Sequence, residues 1–165
     1  MNVRLAEPRD IPAITEMFKE LCSYLEDKGQ WTLNPDWKQR ENGIVALVST
    51  KMVNEGNVVL VSEDAAGRAN GFLIGWVLYY PSIFAHQRVG EIQFMFPLNF
   101  EKSPHLERAF DKWAKKQGCT ATSNYATPGH TASVKAFERA GRKLTHYCFM
   151  KPYPKEEAKN VALHG

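Results

Sequence analysis

Glu91-Ile92-Gln93-Phe94-Met95-Phe96-Pro97 reads as an apolar strand that stops at a proline. After a short loop, Ser103-Pro104 opens a helix in which Leu106, Ala109, Phe110, Trp113 and Ala114 recur at three- and four-residue spacing, and Gly118 closes it. A second strand is expected at Cys119–Asn124, followed by the turn Thr127-Pro128-Gly129 and a helix over His130–Ala140 that ends at Gly141. An alternating run over Leu144–Met150 reads as a final strand. Two strands joined by a crossover helix form a parallel pair, since a tight turn can only join antiparallel neighbours.

The chain before this stretch predicts hairpins. Val3–Ala6 is a short strand, and Asp10 caps a helix with Pro12 in its first turn and Ile11, Ile14, Phe18, Leu21 and Leu25 on one face. Gly29–Pro35 is a break, and a second helix runs from Asp36 to about Val53 with Ile44, Leu47 and Val48 inward. Val58–Ser62 and Gly71–Tyr80 form a hairpin across the polar turn Glu63–Asn70, and a loop at Pro81–Gln87 leads into a long strand over Arg88–Leu98. These elements predict an α/β domain with a largely antiparallel sheet and one parallel pair. From Lys151 onward, prolines and a Lys-Glu-Glu-Ala-Lys run mark a tail, so the expected division is a domain over 1–151 and a flexible segment over 152–165.

The 165 residues suffice for one domain with a sizeable core. A net charge of +3, with acidic and basic residues interleaved, gives no indication of nucleic acid as a partner. Cys22, Cys119 and Cys148 are odd in number and lack C-x-x-C spacing, which predicts reduced, buried thiols and a cytoplasmic setting. Met1-Asn2-Val3-Arg4 does not begin a signal peptide, and the apolar run Phe72–Ala85 is too short for a membrane span and is broken by Pro81. His86, His105, His130, His146 and His164 show no metal-ligand spacing, so no metal is expected. No Gly-x-Ser-x-Gly elbow is present. Lys112, Lys115 and Lys116 complement a helix C-terminus without needing nucleic acid.

The strand–loop–helix–strand order, with Met95-Phe96-Pro97 where a Val-x-Pro is usual and Glu138-Arg139-Ala140-Gly141 where Glu-Lys-Leu-Gly is usual, resembles the GNAT family of N-acetyltransferases. The resemblance runs over nearly the whole chain, back to Val3–Leu25. It implies a mixed, largely antiparallel sheet with helices on both faces, acetyl-CoA as cofactor and transfer of an acetyl group to a primary amine on a small molecule or a protein.

In that family a Gln/Arg-x-x-Gly-x-Gly/Ala loop binds the coenzyme A pyrophosphate through backbone N–H groups and a helix N-terminus. With Pro97 aligned on the family proline, Phe100 takes the arginine position and Glu101, Ser103 and His105 take the glycine positions. Glu101 brings a like charge to the phosphates, Pro104 removes a backbone donor, and Lys102 and His105 are the compensating cations. Ser103-Pro104 is equally readable as an ordinary helix cap.

The resemblance further implies that backbone N–H groups over Phe94, Met95 and Phe96 polarise the thioester carbonyl. It also places His130 and Phe137 where the family often carries asparagine and a proton-donating tyrosine. A phenyl ring donates no proton, so Tyr125, His130 or water must take that part. Glu91 is the expected general base, with Gln93 and Met95 expected on the same strand face and His146 a lesser candidate; the competing reading of Glu91 is a solvated strand-end carboxylate. Trp31, Trp37, Tyr79 and Tyr80 are candidates for an acceptor-side surface. Three functions remain open on this reading. One is a GNAT-like acetyltransferase; another is an inactive GNAT-fold protein acting as a binding or structural component, with a protein partner; the third is a binder of some other ligand in the same cleft.

Overall fold

The computed structural model describes residues 2–27, 40–83, 86–96, 103–125, 131–139 and 141–143. Five strands lie in sequence order: β1 (Asn2–Leu5), β2 (Asn57–Glu63), β3 (Ala69–Tyr79), β4 (Arg88–Phe96) and β5 (Ala121–Ser123). The first three pairings are antiparallel and β4–β5 is parallel. The expected hairpin and the parallel pair are therefore both present.

The helices are α1 (Ile11–Asp27), α2 (Glu41–Val53), α3 (Ser103–Lys116) and α4 (Thr131–Arg139). The sheet separates two cores. Val59, Val61, Phe72 and Ile74 meet Ile14, Phe18 and Leu21 of α1 and Val48 of α2. Val58, Leu60, Leu73 and Ile92 meet Leu106, Phe110 and Ala114 of α3 on the other face. The apolar runs Val58–Val61 of β2 and Phe72–Ile74 of β3 thus supply both layers by simple alternation, and helices cover both faces.

Three details differ from the sequence expectation. Asp10 does not cap α1 directly. It closes a 3-10 turn at Pro8–Asp10, where its carboxylate accepts the Glu7 N–H at 2.8 Å and is clasped by Arg4 at 2.7 and 3.0 Å. The second helix begins at Glu41, since Arg40 is not helical; Asp36 itself lies outside the described residues. The strand expected at Cys119–Asn124 shrinks to Ala121–Ser123, because Cys119 N–H still bonds back to the Ala114 carbonyl at 3.0 Å. Cys119 is consequently half-buried and Cys22 buried, both as free thiols. Gly118 and Gly141 adopt φ of 76° and 79° and end α3 and α4 as expected. The strand expected at Leu144–Met150 and the tail lie outside the described residues.

Among the described residues, no helix is long and apolar enough to cross a membrane, and no three His, Cys, Asp or Glu side chains gather to hold a metal ion.

Candidate active site

The end of the β4–β5 pairing organises the site. Val89, Gly90 and Glu91 pair with Ala121, Thr122 and Ser123, and there the described pairing ends. On its other edge β4 continues to pair with β3 as far as Phe96. Among the described residues, one edge of β4 therefore has no strand partner after Glu91, leaving a fork.

A bulge sits at that point. Ile74 pairs with Phe94 and Gly75 with Ile92, so Gln93 is an extra residue in β4. The bulge breaks strict alternation. Ile92 and Met95 both pack toward α3, whereas Phe94 and Phe96 pack toward α1. The expectation that Glu91, Gln93 and Met95 share one face is thus corrected: Met95 lies on the opposite face from Glu91, because one inserted residue reverses the parity downstream. Phe94 lies 4.8 Å from the Phe18 ring and Phe96 6.3 Å from Phe72, so both half-buried side chains pack against the α1 core.

Glu91 is 7% exposed, which excludes the solvated strand-end reading. Its cross-strand neighbour on β3 is Trp76. The Trp76 Nε1–H donates to Glu91 Oε1 at 3.0 Å, and the Tyr125 hydroxyl donates to Glu91 Oε2 at 2.6 Å. Lys51 Nζ from α2 stands 3.8 Å from the centre of the Trp76 ring and donates to Asn57 Oδ1 at 3.2 Å. Desolvation lowers the Lys51 pKa. Each Glu91 oxygen thus has a donor, as a buried carboxylate requires. Tyr125, which follows β5, is 59% exposed and forms the outer end of this chain of contacts.

On the opposite face, Gly75 of β3 and Gly90 of β4 lie against α3. A side chain at Gly75 would press on Phe110 and come within 2.8 Å of the Glu91 carbonyl, and one at Gly90 would come within 2.8 Å of Ala114 Cβ. These glycines let α3 lie close against β3 and β4. Near the fork, the buried atoms Gln93 Oε1 and Asn124 Nδ2 have no hydrogen-bond partner among the described residues.

His105 is exposed on the first turn of α3, where its Nδ1 lies 3.1 Å from Arg108 Nη2. A guanidinium only donates, so Nδ1 is the acceptor there. Phe137 is half-buried in α4. Lys102, His130, His146, Trp31 and Trp37 lie outside the described residues, as do Phe100 and Glu101; Ser103 is placed only as the first residue of α3. The bulge at Gln93, the Trp76–Glu91 contact and the charge of Arg108 were not anticipated from the sequence. Trp76 and Glu91 meet only through strand register, and no residue pattern announces a bulge between Ile92 and Phe94.

A cleft of about 600 Å³ opens at the other end of the sheet, lined in part by Asn57, Trp76, Tyr79, Arg88 and Gln117. None of the residues singled out for cofactor binding lines it.

No protein-family model and no curated protein matches the chain. Solved structures do. An AAC(6')-Iy structure in complex with the bisubstrate analogue CoA-S-monomethyl-acetylneamine superposes with a TM-score of 0.71 at 16% identity, over 93% of this chain and 97% of that one. The apo aminoglycoside 6'-N-acetyltransferase AAC(6')-IG from Acinetobacter haemolyticus gives 0.69 at 15% identity, over 93% and 99%. A probable acetyltransferase gives 0.70 at 12% identity, over 94% and 99%. The chain has the fold of these acetyltransferases, as the sequence resemblance implied.

Proposed function

We propose that the protein is an N-acetyltransferase that moves an acetyl group from acetyl-CoA to a primary amine. The observation that carries this reading is the coincidence, at Glu91–Gln93, of a buried carboxylate, a bulge and the start of the fork. Bulges recur next to active sites because they re-aim a side chain or end a pairing. That structures of the same fold hold coenzyme A or a bisubstrate analogue supports the choice of donor.

The fork suits an acyl thioester and its arm. Backbone N–H groups over Phe94, Met95 and Phe96 on the unpaired edge of β4 are donors for the carbonyl oxygen, where negative charge develops during attack. The buried Gln93 Oε1 and Asn124 Nδ2, which have no hydrogen-bond partner among the described residues, are one acceptor and one donor for the amide groups of the pantetheine arm. At the phosphate end, the N-terminus of α3 at Ser103 supplies partial positive charge, and Lys102, His105 and Arg108 supply cationic or donor groups in place of a glycine loop. The sequence resemblance makes His130 and Phe137 further candidates for contact with the cofactor. Acetyl-CoA brings the activated acetyl group when bound. Glu91 is the proton acceptor for the amine, and no metal is called for.

The alternative, an inactive GNAT-fold protein acting as a binding or structural component, rests on the altered loop at Phe100, Glu101, Ser103, Pro104 and His105 and on Phe137 in the tyrosine position. It gives no use to a buried carboxylate at the fork, a costly group to retain for packing.

Release of free coenzyme A thiol from acetyl-CoA, dependent on added amine, tests the proposal when paired with Glu91→Gln. The expected result is amine-dependent release with an acetylated amine by mass spectrometry, and a loss of about 10²–10³-fold in kcat for the variant. Equal rates for wild type and variant would remove Glu91 from the reaction.

A further inference from the structure

Glu91 is nine-tenths buried, and both of its oxygens already accept hydrogen bonds. Among the described residues, Glu91 Oε2 is covered by the Tyr125 hydroxyl, which lies 2.6 Å away and belongs to a side chain 59% exposed. We infer that Tyr125 is the catalytic residue that touches the reacting atoms at both proton transfers, with Glu91 as the proton store behind it. This inference rests on the acetyltransferase reading and deepens it.

The steps balance. Attack of the amine on the thioester carbonyl forms the C–N bond and leaves a cationic nitrogen and an anionic oxygen. The nitrogen gives one proton to the Tyr125 oxygen while the original phenolic proton passes along the 2.6 Å contact to Glu91 Oε2. Collapse of the adduct re-forms the carbonyl and breaks the C–S bond. The departing thiolate takes the Tyr125 proton as Glu91 returns its own to the phenolic oxygen. One proton has moved from nitrogen to sulfur, and Glu91 and Tyr125 end as they began.

The surroundings suit this arrangement. The Trp76 N–H fixes Oε1 and leaves Oε2 to Tyr125, so the carboxylate is oriented by one neighbour and used by the other. Phe137, half-buried in α4, has no proton to give. A single phenol serving both transfers needs no second acid.

The test compares wild type, Tyr125→Phe and Glu91→Gln with acetyl-CoA and neamine as the probe amine, following thiol release in H2O, in D2O and in their mixtures. The wild type is expected to show a curved dependence of kcat on deuterium fraction, from more than one proton in flight. Tyr125→Phe is expected to lose about 100-fold in kcat, with unchanged acetyl-CoA affinity and a linear dependence. Its exposed ring makes correct folding the expectation, checked by an unchanged thermal midpoint. An active wild type with a Tyr125→Phe variant within threefold, or with the same curvature, overturns the relay and leaves the acetyltransferase reading intact. A wild type that binds acetyl-CoA but releases no thiol to neamine or to a panel of primary amines overturns both.

Discussion

The two faces of the β3–β4 ladder do opposite things at neighbouring rungs. Toward α3, Gly75 and Gly90 are bare so that Phe110 and Ala114 can lie against the backbone. Toward α1 and α2, Trp76 and Glu91 carry a polar chain that runs from Lys51 to Tyr125. The apolar face holds the strands in place, and the polar face places one carboxylate where the sheet divides. The close fit on one side sets the position of the chemistry on the other, since the Glu91 carbonyl lies within reach of any side chain added at Gly75. Packing and function are thus separated by the thickness of one strand.

The sharpest way to break the packed face is Phe110→Ala. Phe110 is fully buried and stacks beside Trp113 at 5.4 Å, so its loss is expected to cost about 4 kcal/mol of stability by chemical denaturation. Glu91→Gln attacks the other face. The 10²–10³-fold loss of kcat expected for it corresponds to about 3–4 kcal/mol in the barrier, yet stability should change by only about 1 kcal/mol, because an amide keeps one acceptor and Tyr125 can accept from its N–H. A Glu91→Gln protein that unfolds as readily as Phe110→Ala would dissolve the division between the faces.

The smallest effect lies far from both. Arg4 holds the Asp10 and Glu63 carboxyls below the usual carboxylate range through its hydrogen bonds. Their stabilisation is present above the unfolded values of about 4, and it is lost as pH falls through the lower folded values. Burial raises the Glu107 carboxyl despite Arg142, so its contribution has the opposite sign and is lost as pH rises through the raised value. Asp10→Asn is expected to cost about 1.5 kcal/mol at pH 7 and to flatten the decline in stability below about pH 4, measured by urea unfolding across pH. The same variant should leave thiol release unchanged.

How much of this was legible in the sequence follows from what each feature depends on. The face of α3 is local: Leu106, Phe110 and Ala114 repeat at helical spacing and their burial could be foreseen. The glycines ending α3 and α4 are likewise local. Glu91 stood out because it is the one ionisable residue in an otherwise uncharged strand end, Glu91–Phe96. What Glu91 touches was not legible. Trp76 reaches it across a strand pair and Tyr125 across a parallel crossover, and neither distance is encoded by neighbouring residues. The Gln93 bulge reversed the face of Met95 with no local signal, since Gln93 is as compatible with a regular strand as with a bulge. The Arg142–Glu107–Asp111 cluster that ties the chain after α4 to α3 was also missed, as Arg142 lies far in sequence from the two α3 carboxylates.

Isothermal titration of the purified protein with acetyl-CoA at low salt, carried to millimolar ligand, addresses the fork most directly. Saturable one-to-one binding that is retained in Glu91→Gln, which keeps the fork but not the base, is the expected result. The absence of heat and of any thermal shift at millimolar acetyl-CoA would contradict it, and would leave the β4–β5 fork as a feature of the fold with no acyl donor to hold.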